Sequence, residues 1–383
     1  MKQRKILHLS NTDINKDSRI LKHLEALSKL KGTKLYALGT LMSGTEVKHN
    51  KLDFQLKINT YELKTKNLRF LTKPIFYLLN IFEIILVFFF KGIKLKPDIV
   101  HCHDTIVLPA GFILKLFLKC KLVYDAHELE SAKGGQSKIL SLGTILIEKL
   151  CWKQIDLFIT VSESILNWYK KNFSKKESLV IYNSPKIKKL DQKYNGYLKN
   201  KFKIKDDSTV YIYIGCFTNG RGIEEILEIF SKLNYSYHIV FLGYGEKINT
   251  IKAYASNFKN IHLHQQVPHD EVVNIATSAD VGVCPIMHLS LSCYNAIPTK
   301  VLEYMFSKLK IISFEGPEIK KIFKKYKNGK TFKNINDLKS SIIQLKDSNK
   351  NRISYDIEDL EEYSHKFQQD SLKKEYSKIL KKR

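Results

Sequence analysis

Short hydrophobic runs alternate with longer amphipathic stretches along most of the chain. In the first half, runs with the length and composition of buried strands lie at 5–10, 34–39, 99–103, 122–125, 157–161 and 179–182. A second series lies at 210–215, 238–243, 261–264, 281–286 and 310–314. Between the first two runs, Ile20, Leu24 and Leu27 share one face of a helix that follows Asp17. This alternation predicts βαβ units and a mostly parallel sheet covered on both faces.

The alternation breaks at residues 185–208, where a proline, several lysines and Asn-Gly and Asp-Asp pairs replace it. A chain of 383 residues is also longer than one core comfortably supports. We therefore predict an N-terminal Rossmann-like domain at 1–184, a linker at 185–208 and a C-terminal Rossmann-like domain at 209–356. The last helical pattern, at 357–383, has no strand after it, and we expect it to pack back on the first domain.

The stretch 280–314 predicts a strand, a loop, a helix that begins at Pro298, and a second strand. In open α/β sheets, ligands bind at the carboxyl edge of the strands, where such loops lie. Lys300 and Glu303 are three residues apart and share a helix face. A lysine near a helix N-terminus suits a phosphate, and a carboxylate can accept hydrogen bonds from a sugar diol. A surface ion pair between the two side chains is the alternative, and the helix alone leaves both open.

Two glycine turns follow predicted strands in the second half. Gly220-Arg221-Gly222 opens a helix, where backbone N–H groups can approach a phosphate and an arginine can pair with its oxygens. Tyr244 lies between two glycines, so that its ring could stack on a nucleobase. A plain tight turn is the alternative for both.

Histidines and carboxylates end two strands of the first half, as His-Cys-His-Asp at 101–104 and Asp-Ala-His-Glu at 125–128. Strand ends of one parallel sheet meet at the same crevice. These side chains could be metal ligands, acid–base groups or core histidines; the sequence disfavours a metal because no Asp-x-Asp ends a strand. His127 is the best functional candidate, because it lies in a polar loop. We expect His101 to be structural and to point away from His103.

The segment 74–90 is an almost unbroken apolar run interrupted by Asn80 and Glu83 and followed by lysines. It is shorter than the roughly 20 apolar residues of a membrane span, so we do not predict one. It is either a core helix or a helix lying in the bilayer interface with lysines on anionic headgroups. Because its aromatic residues are too many for one buried face, we favour membrane contact for the outer face.

The formal net charge is +26, from 64 Lys+Arg against 38 Asp+Glu, which indicates an anionic partner. The six cysteines include no Cys-x-x-Cys pair, so neither a disulfide framework nor a zinc site is indicated, and a reducing cytoplasm fits best. The first residues turn polar too early for a signal peptide. No nucleic-acid-binding motif accompanies the charge.

Several short motifs together resemble the retaining, GT-B-fold glycosyltransferases of family 4, also called the group 1 transferases. They are Val161-Ser-Glu, Ile181-Tyr-Asn-Ser, the Arg221 turn and Ile297-Pro-Thr-Lys-Val-Leu-Glu-Tyr. The resemblance covers nearly the whole chain. It implies an α/β fold of two Rossmann-like lobes facing each other across a cleft. It also implies a nucleoside diphosphate sugar donor, and neither a metal nor another cofactor.

The resemblance also implies roles for residues. Glu303 matches the second of two glutamates and would bind the ribose, whereas Asn295 replaces the first. Arg221 and Lys300 match basic residues at the diphosphate, and His127 matches a histidine near the reacting sugar; these three are the catalytic candidates. Further donor-binding candidates are Gly220, Gly222, Tyr244 and Thr299, and the acceptor-side candidates are Arg19, His103, Asp104 and Glu128.

The expected activity is hexosyl transfer with retention of configuration to a saccharide or lipid-linked saccharide acceptor. Bacterial surface polysaccharide or lipid-linked oligosaccharide assembly would use it, on the inner face of the cytoplasmic membrane. Two alternatives stay open: a nucleoside diphosphate sugar epimerase or hydrolase on the same scaffold, and a basic nucleic-acid-binding protein. We expect an anionic membrane, not nucleic acid, to be the partner of the basic surface.

Overall fold

The structure, a computed structural model, describes residues 3–41, 56–68, 72–187, 191–286, 290–347, 353 and 355–381. The chain divides into two compact units, one of Met1–Tyr182 with Gln368–Arg383 and one of Asn183–Phe367. Each contains one parallel sheet, so the predicted α/β class with two Rossmann-like lobes is confirmed. The described residues of the predicted linker, 185–187 and 191–208, belong to the second unit.

The first unit is built on a seven-stranded sheet with the order β3-β2-β1-β4-β5-β6-β7. Its strands are β1 (Arg4–Ser10), β2 (Thr33–Leu41), β3 (Lys57–Glu62), β4 (Ile99–His103), β5 (Lys121–Ala126), β6 (Leu157–Thr160) and β7 (Ser178–Val180). Its first five helices are α1 (Ser18–Ser28), α2 (Lys73–Leu95), α3 (Leu108–Leu118), α4 (Lys138–Trp152) and α5 (Glu163–Asn172). The chain moves outward from β1 to β3 and returns to β4 beside β1, so the switch point lies between β1 and β4.

The sequence predicted six of these strands, with ends that differ by at most two residues; β3 was missed. Helix α1 was also predicted, and Asp17 caps it by accepting hydrogen bonds from the N–H groups of Arg19 and Ile20. Ile20, Leu24 and Leu27 are fully buried, as their spacing indicated.

The second unit has a six-stranded sheet with the order β10-β9-β8-β11-β12-β13. Its strands are β8 (Thr209–Cys216), β9 (Tyr237–Tyr244), β10 (Ile261–His264), β11 (Val281–Cys284), β12 (Lys310–Phe314) and β13 (Gly329–Phe332). Its helices are α6 (Tyr197–Phe202), α7 (Ile223–Ser231), α8 (Ile248–Asn257), α9 (His269–Ala276), α10 (Leu291–Asn295), α11 (Thr299–Phe306), α12 (Pro317–Tyr326) and α13 (Ile335–Asp347). The switch point here lies between β8 and β11.

The end of the chain returns to the first unit. A 3-10 helix at Glu358–Tyr363 precedes α14 (His365–Lys381), whereas the sequence pattern had suggested one helix from residue 357. Leu372, Tyr376 and Ile379 of α14 are buried in the same core cluster as Ile6 of β1. The predicted packing of the C-terminal helix on the first lobe is therefore confirmed.

Candidate functional site

Helix α11 begins at the switch point of the second sheet and is fixed there by Tyr304. The Tyr304 hydroxyl accepts a hydrogen bond from the Ile214 N–H (3.1 Å) and lies 3.0 Å from the Val283 carbonyl oxygen, so it joins β8 to β11. Its ring fills the space beside Gly282, where a Cβ atom would come within 2.3 Å of the ring. The glycine in β11 thus allows α11 to approach the sheet closely, which places the first turn of the helix at the strand ends.

Lys300 lies on that first turn and is 91% removed from solvent. Its Nζ lies 3.8 Å from the centre of the Tyr213 ring and faces Gly215, the glycine in the left-handed region at the end of β8. Burial lowers the pKa of Lys300 to about 8; Cys284 opposes this effect and Arg221 adds to it. Among the described residues, no group accepts a hydrogen bond from this ammonium. A buried cation in this state is well suited to an anionic ligand.

Arg221 is exposed in a turn shaped by two glycines. Gly220 and Gly222 have φ values of +73° and +71°, which favour glycine, and Gly222 is the N-terminal cap of α7. A Cβ atom at Gly222 would lie 2.5 Å from the Pro285 carbonyl oxygen, so no other residue fits. Within the described residues the guanidinium forms no ion pair, and it remains available to a ligand.

Glu303 follows Lys300 by one helical turn and is 95% buried. Its Oε1 lies 3.9 Å from Nδ1 of His269 on α9, a side chain that is half exposed. The alternative of a surface ion pair with Lys300 is wrong, because both side chains are buried. Lys300 is close enough to both Arg221 and Glu303 to interact electrostatically with each.

The other donor-side candidates have different surroundings. Tyr244 ends β9 with 55% of its side chain exposed, and its carbonyl oxygen accepts a hydrogen bond from Phe217 N–H (2.6 Å) in the turn after β8. Thr299 is the half-buried first residue of α11. Asn295 ends α10, a short helix that the sequence did not predict, and its side chain donates to the Leu291 carbonyl oxygen (2.9 Å).

In the first unit, Asp125 at the end of β5 is the centre of a buried polar cluster. Arg19 donates to both of its oxygens, from Nε to Oδ2 (3.1 Å) and from Nη2 to Oδ1 (2.7 Å). A third guanidinium hydrogen bond, from Nη1, goes to the Ile181 carbonyl oxygen (2.7 Å). Burial opposes ionisation of Asp125, but Arg19 and His127 hold its pKa well below the usual range. Arg19, an acceptor-side candidate by resemblance, is itself 95% buried.

Histidines surround the Asp125 carboxylate on several sides. The distances to Oδ2 are 3.3 Å from His103 Nδ1, 3.5 Å from His23 Nδ1, 3.8 Å from His101 Nε2 and 3.3 Å from His127 Nε2. His8 of β1 extends the cluster, with Nδ1 lying 3.0 Å from His103 Nε2. Burial lowers the pKa of His101 to about 3 and that of His103 to about 4, so both are neutral at pH 7.

The expected orientation of His101 is wrong. Residues two apart in a strand lie on the same face, and the rings of His101 and His103 stack with their centres 4.2 Å apart. Nδ1 of His101 forms a hydrogen bond with the Tyr376 hydroxyl of α14 (2.6 Å). His101 therefore belongs to the same cluster as His103.

Four members of the cluster are close enough to share a metal ion. The ligand atoms of His23, His101, His103 and Asp125 all lie within 4.8 Å of one another. Arg19, however, already neutralises Asp125 by holding a fixed positive charge against both of its oxygens, which disfavours a metal ion there. The arrangement is better suited to fixing the histidine rings than to binding a metal.

His127 is the member of the cluster that reaches the surface, with 17% of its side chain exposed. Burial lowers its pKa, but Asp104 and Asp125 outweigh that effect and raise the pKa to about 9. Its Nδ1 lies 3.8 Å from Asp104 Oδ1, and Lys133 Nζ lies 3.9 Å from the same oxygen. His127 is therefore an imidazolium at neutral pH, which can donate a hydrogen bond but cannot accept a proton.

Several residues of this cluster were not predicted from the sequence. The residues that contact or electrostatically influence the predicted ones are His8, His23, Glu130, Lys133 and Tyr376. Glu130 is buried, with Oε2 lying 3.0 Å from Lys133 Nζ. His8 could have been identified from the sequence, because it is a histidine inside an apolar strand at the switch point. Glu128 is exposed beside His127.

Comparison with known proteins gives two family matches. The profile described as "Glycosyl transferases group 1" matches residues 197–363, and that described as "Glycosyltransferase Family 4" matches residues 41–184. Two uncharacterized glycosyltransferases of Methanocaldococcus jannaschii are 26% and 24% identical over 59% and 61% of the chain. These matches span 63% and 62% of the relatives, so less than two thirds of their length is covered.

Solved structures resemble the chain over nearly its whole length. A glycosyltransferase from Rickettsia africae has a TM-score of 0.72 at 15% identity and covers 100% of both chains. Anabaena HepE, in complex with UDP and glucose, has a TM-score of 0.72 at 11% identity, covering 98% of this chain and 100% of that one. Sucrose-phosphate synthase from Thermosynechococcus elongatus has a TM-score of 0.69 at 13% identity, covering 99% and 98%. At these identities the likeness shows a shared fold.

Proposed function

Because the chain belongs to the group 1 glycosyltransferases and has the GT-B fold, we propose that it transfers a hexose from a nucleoside diphosphate sugar to an acceptor hydroxyl with retention of configuration. The observation that supports this donor class best is the buried ammonium of Lys300 beside a glycine turn and an exposed arginine. These are the groups that a diphosphate requires. The Anabaena neighbour was solved with UDP and with UDP-glucose, so we take uridine diphosphate sugars as the first donors to test.

In the proposed reaction, the diphosphate gains negative charge as its bond to the sugar breaks. Lys300 and Arg221 stabilise that charge more in the transition state than in the ground state. The two cations act differently, because Lys300 is buried and fixed whereas Arg221 is exposed and can move to the ligand. Glu303 accepts hydrogen bonds from the ribose hydroxyls.

We propose that His127 positions the sugar or phosphate and is not the general base. Its pKa of about 9 keeps it protonated at pH 7, so it cannot take the proton of the acceptor hydroxyl. In a retaining transfer without a separate base, an oxygen of the departing diphosphate accepts that proton on the same face of the sugar. The proposed reaction uses neither a metal nor another cofactor.

We further propose a saccharide or lipid-linked saccharide acceptor, with the enzyme peripheral on the inner face of the cytoplasmic membrane. The high net charge of +26 and the apolar outer surface of the first unit support this location. Surface polysaccharide or lipid-linked oligosaccharide assembly is the process that such an acceptor serves.

Thermal unfolding with a panel of uridine, guanosine, adenosine and thymidine diphosphates and their sugars tests the donor site. A ligand at about one hundred times its Kd stabilises a protein by roughly 2.7 kcal/mol. We expect one nucleotide to raise Tm, and the Glu303→Ala variant to lose most of that rise. Glu228→Ala is the matched control, because Glu228 is an exposed carboxylate of the same unit paired with Lys232.

Two outcomes would contradict the proposal. The first is a folded protein whose Tm responds to none of the nucleotides. The second is a rise in Tm that Glu303→Ala retains in full. Product analysis with and without a saccharide acceptor then separates transfer from hydrolysis or epimerisation, because only transfer depends on the acceptor.

A further inference from the structure

Helix α4 of the first unit carries its hydrophobic stripe on the outside. Ile139, Leu142, Leu146 and Leu150 follow one another at intervals of three or four residues, a spacing that normally marks the face of a helix that packs on the core. Here they are the exposed residues, with Ile139 at 83% and Leu146 at 58%. The opposite side of α4, which includes Glu148, faces the interior.

Helix α2 also exposes an apolar side. The two polar residues within its apolar run, Asn80 and Glu83, form hydrogen bonds inside the unit. Glu83 accepts hydrogen bonds from the N–H groups of Lys64 and Thr65, both at 2.8 Å. Asn80 forms a hydrogen bond with the Thr65 hydroxyl. The exposed large side chains of α2 are Ile75, Tyr77, Leu78, Phe82, Leu86 and Phe90.

Helix α3 lies between α2 and α4 and makes the surface continuous. It packs against both neighbours, and the rings of Phe89 and Phe117 are 5.3 Å apart. Leu116 and Phe117 are exposed at 53% and 67%. We call the outer surfaces of α2, α3 and α4 together the apolar face. Soluble monomers rarely expose a contiguous apolar patch of this kind without a partner.

The exposed charged side chains of α2, α3 and α4 are positive. The sequences of the three helices contain two carboxylates, Glu148, which is buried, and Glu83, which is held by the turn at Lys64. Exposed lysines lie on the same helices or at their ends, namely Lys91, Lys94, Lys119, Lys138 and Lys149. The apolar face therefore has lysines around it, and the carboxylates of its helices are held inside the unit. Such a surface complements a bilayer with anionic headgroups.

Helix α2 is held on the first unit through its middle and second half, which argues against a membrane span. The segment Ile75–Leu95 has a mean hydropathy of 1.9 and could cross a bilayer by length and composition, so the expectation from sequence that it was too short is wrong. However, Ile84 and Phe88 are buried, and a Cβ atom at Gly92 would lie 2.6 Å from the Leu114 side chain. A spanning α2 would lose these contacts and the hydrogen bonds of Glu83.

We propose that the apolar face docks on an anionic lipid bilayer, with α2 and α4 lying in the interface and their exposed leucines and phenylalanines among the acyl chains. This inference rests on the peripheral location in the proposed function and deepens it by naming the surface that binds and the lipid class it binds; it depends on neither the sugar nor the nucleotide. It gives the enzyme direct access to lipid-linked acceptors at the headgroup level. The occupant is the lipid surface and not a second copy of the chain.

Flotation of the full chain with vesicles tests the proposal. We expect binding to vesicles of phosphatidylglycerol and phosphatidylethanolamine, and at least tenfold weaker binding to vesicles of phosphatidylcholine alone. The triple variant Leu142→Ser, Leu146→Ser, Leu150→Ser should bind the anionic vesicles at least tenfold more weakly. Its matched control is Tyr235→Ser with Ile335→Ser, which removes exposed hydrophobic residues from the second unit.

Further readouts separate docking from membrane spanning and from dimerisation. The fluorescence of the Leu146→Trp variant should be quenched by brominated acyl chains, and carbonate at pH 11 should release the protein from vesicles. Equal binding to both vesicle types, unchanged binding of the triple variant, or retention in carbonate would overturn the proposal. So would a wild-type dimer that becomes a monomer in the triple variant and binds no vesicles. The nucleotide-dependent rise in Tm should survive in the triple variant, so a failure of the donor site is distinguishable from a failure to dock.

Discussion

Replacing Lys300 by methionine should stabilise the ligand-free protein and yet lower its turnover strongly. Burial lowers the pKa of this ammonium from the ordinary 10.5 to about 8, so the folded protein carries the charge at an energetic cost. A tenfold change in an acidity constant corresponds to about 1.4 kcal/mol, which makes that cost about 3 kcal/mol at pH 7. Loss of the contact with the Tyr213 ring offsets about 1–2 kcal/mol, since such contacts stabilise a desolvated cation by that order.

The expected result is a net gain of about 1–2 kcal/mol, or a rise in Tm of a few degrees at pH 7. The sign depends on pH, because the folded pKa lies below the unfolded one. The cost of the buried charge is complete below pH 8 and disappears as the pH rises towards 10.5, and the advantage of the variant should disappear with it. Urea unfolding of both proteins between pH 7 and 10.5 measures this difference, and turnover should fall at least about a hundredfold. A variant that is less stable than wild type at pH 7 would show that Lys300 supports the fold, and the assignment of a phosphate-binding cation would lose its basis.

Two further predictions concern the other cations. Arg221→Ala should lower turnover by about two to three orders of magnitude without changing the Tm of the ligand-free protein, because the exposed side chain acts mainly on the transition state; near-normal turnover in a donor-saturated assay would exclude that role. His127→Gln should cost about 3 kcal/mol of stability below pH 6.5, since the pKa of His127 is raised to about 9 in the fold. The cost should decline as the pH rises through 9, and a difference in unfolding free energy that does not vary between pH 6.5 and 10 would show that the imidazole is neutral.

The fold was largely predictable from the sequence because central parallel strands are uninterrupted apolar runs. The two strands that were missed, β3 and β13, lie at the edges of their sheets. Their sequences, Lys-Ile-Asn-Thr-Tyr-Glu and Gly-Lys-Thr-Phe, mix charged and apolar residues because one side of an edge strand has no neighbouring strand. Helix α10 has five residues and too little periodicity to be detected.

The sequence did not predict which face of a helix is buried or which side chains pair across long distances in the chain. The stripe on α4 has the spacing of a helix that packs on the core, but periodicity identifies a face without saying whether that face is buried. The polar cluster around Asp125 depends on Arg19, 106 residues away, and on Tyr376, which reaches His101 across 275 residues. The predicted strand ends were enough to identify His103 and His127 as candidates. The charge states of these histidines, in contrast, depend on the distant partners.

The Arg19–Asp125 pair stabilises the first unit and also influences the charge of His127, and a double-mutant comparison tests both effects. Arg19→Met leaves a buried carboxylate without its guanidinium, which should cost about 3–5 kcal/mol. Arg19→Met combined with Asp125→Asn removes both charges and should recover most of that stability, since the amide that replaces the carboxylate needs no countercharge. The double variant should nevertheless lower the pKa of His127, because Asp125 is one of the two carboxylates that raise it; the loss of Arg19, which lowers that pKa, offsets only part of the fall. Titration of labelled histidines by NMR measures that pKa directly. If the double variant is as unstable as Arg19→Met alone, the arginine stabilises the unit through its hydrogen bond to Ile181 and not through Asp125; if the pKa of His127 stays at about 9, Asp104 alone holds the charge.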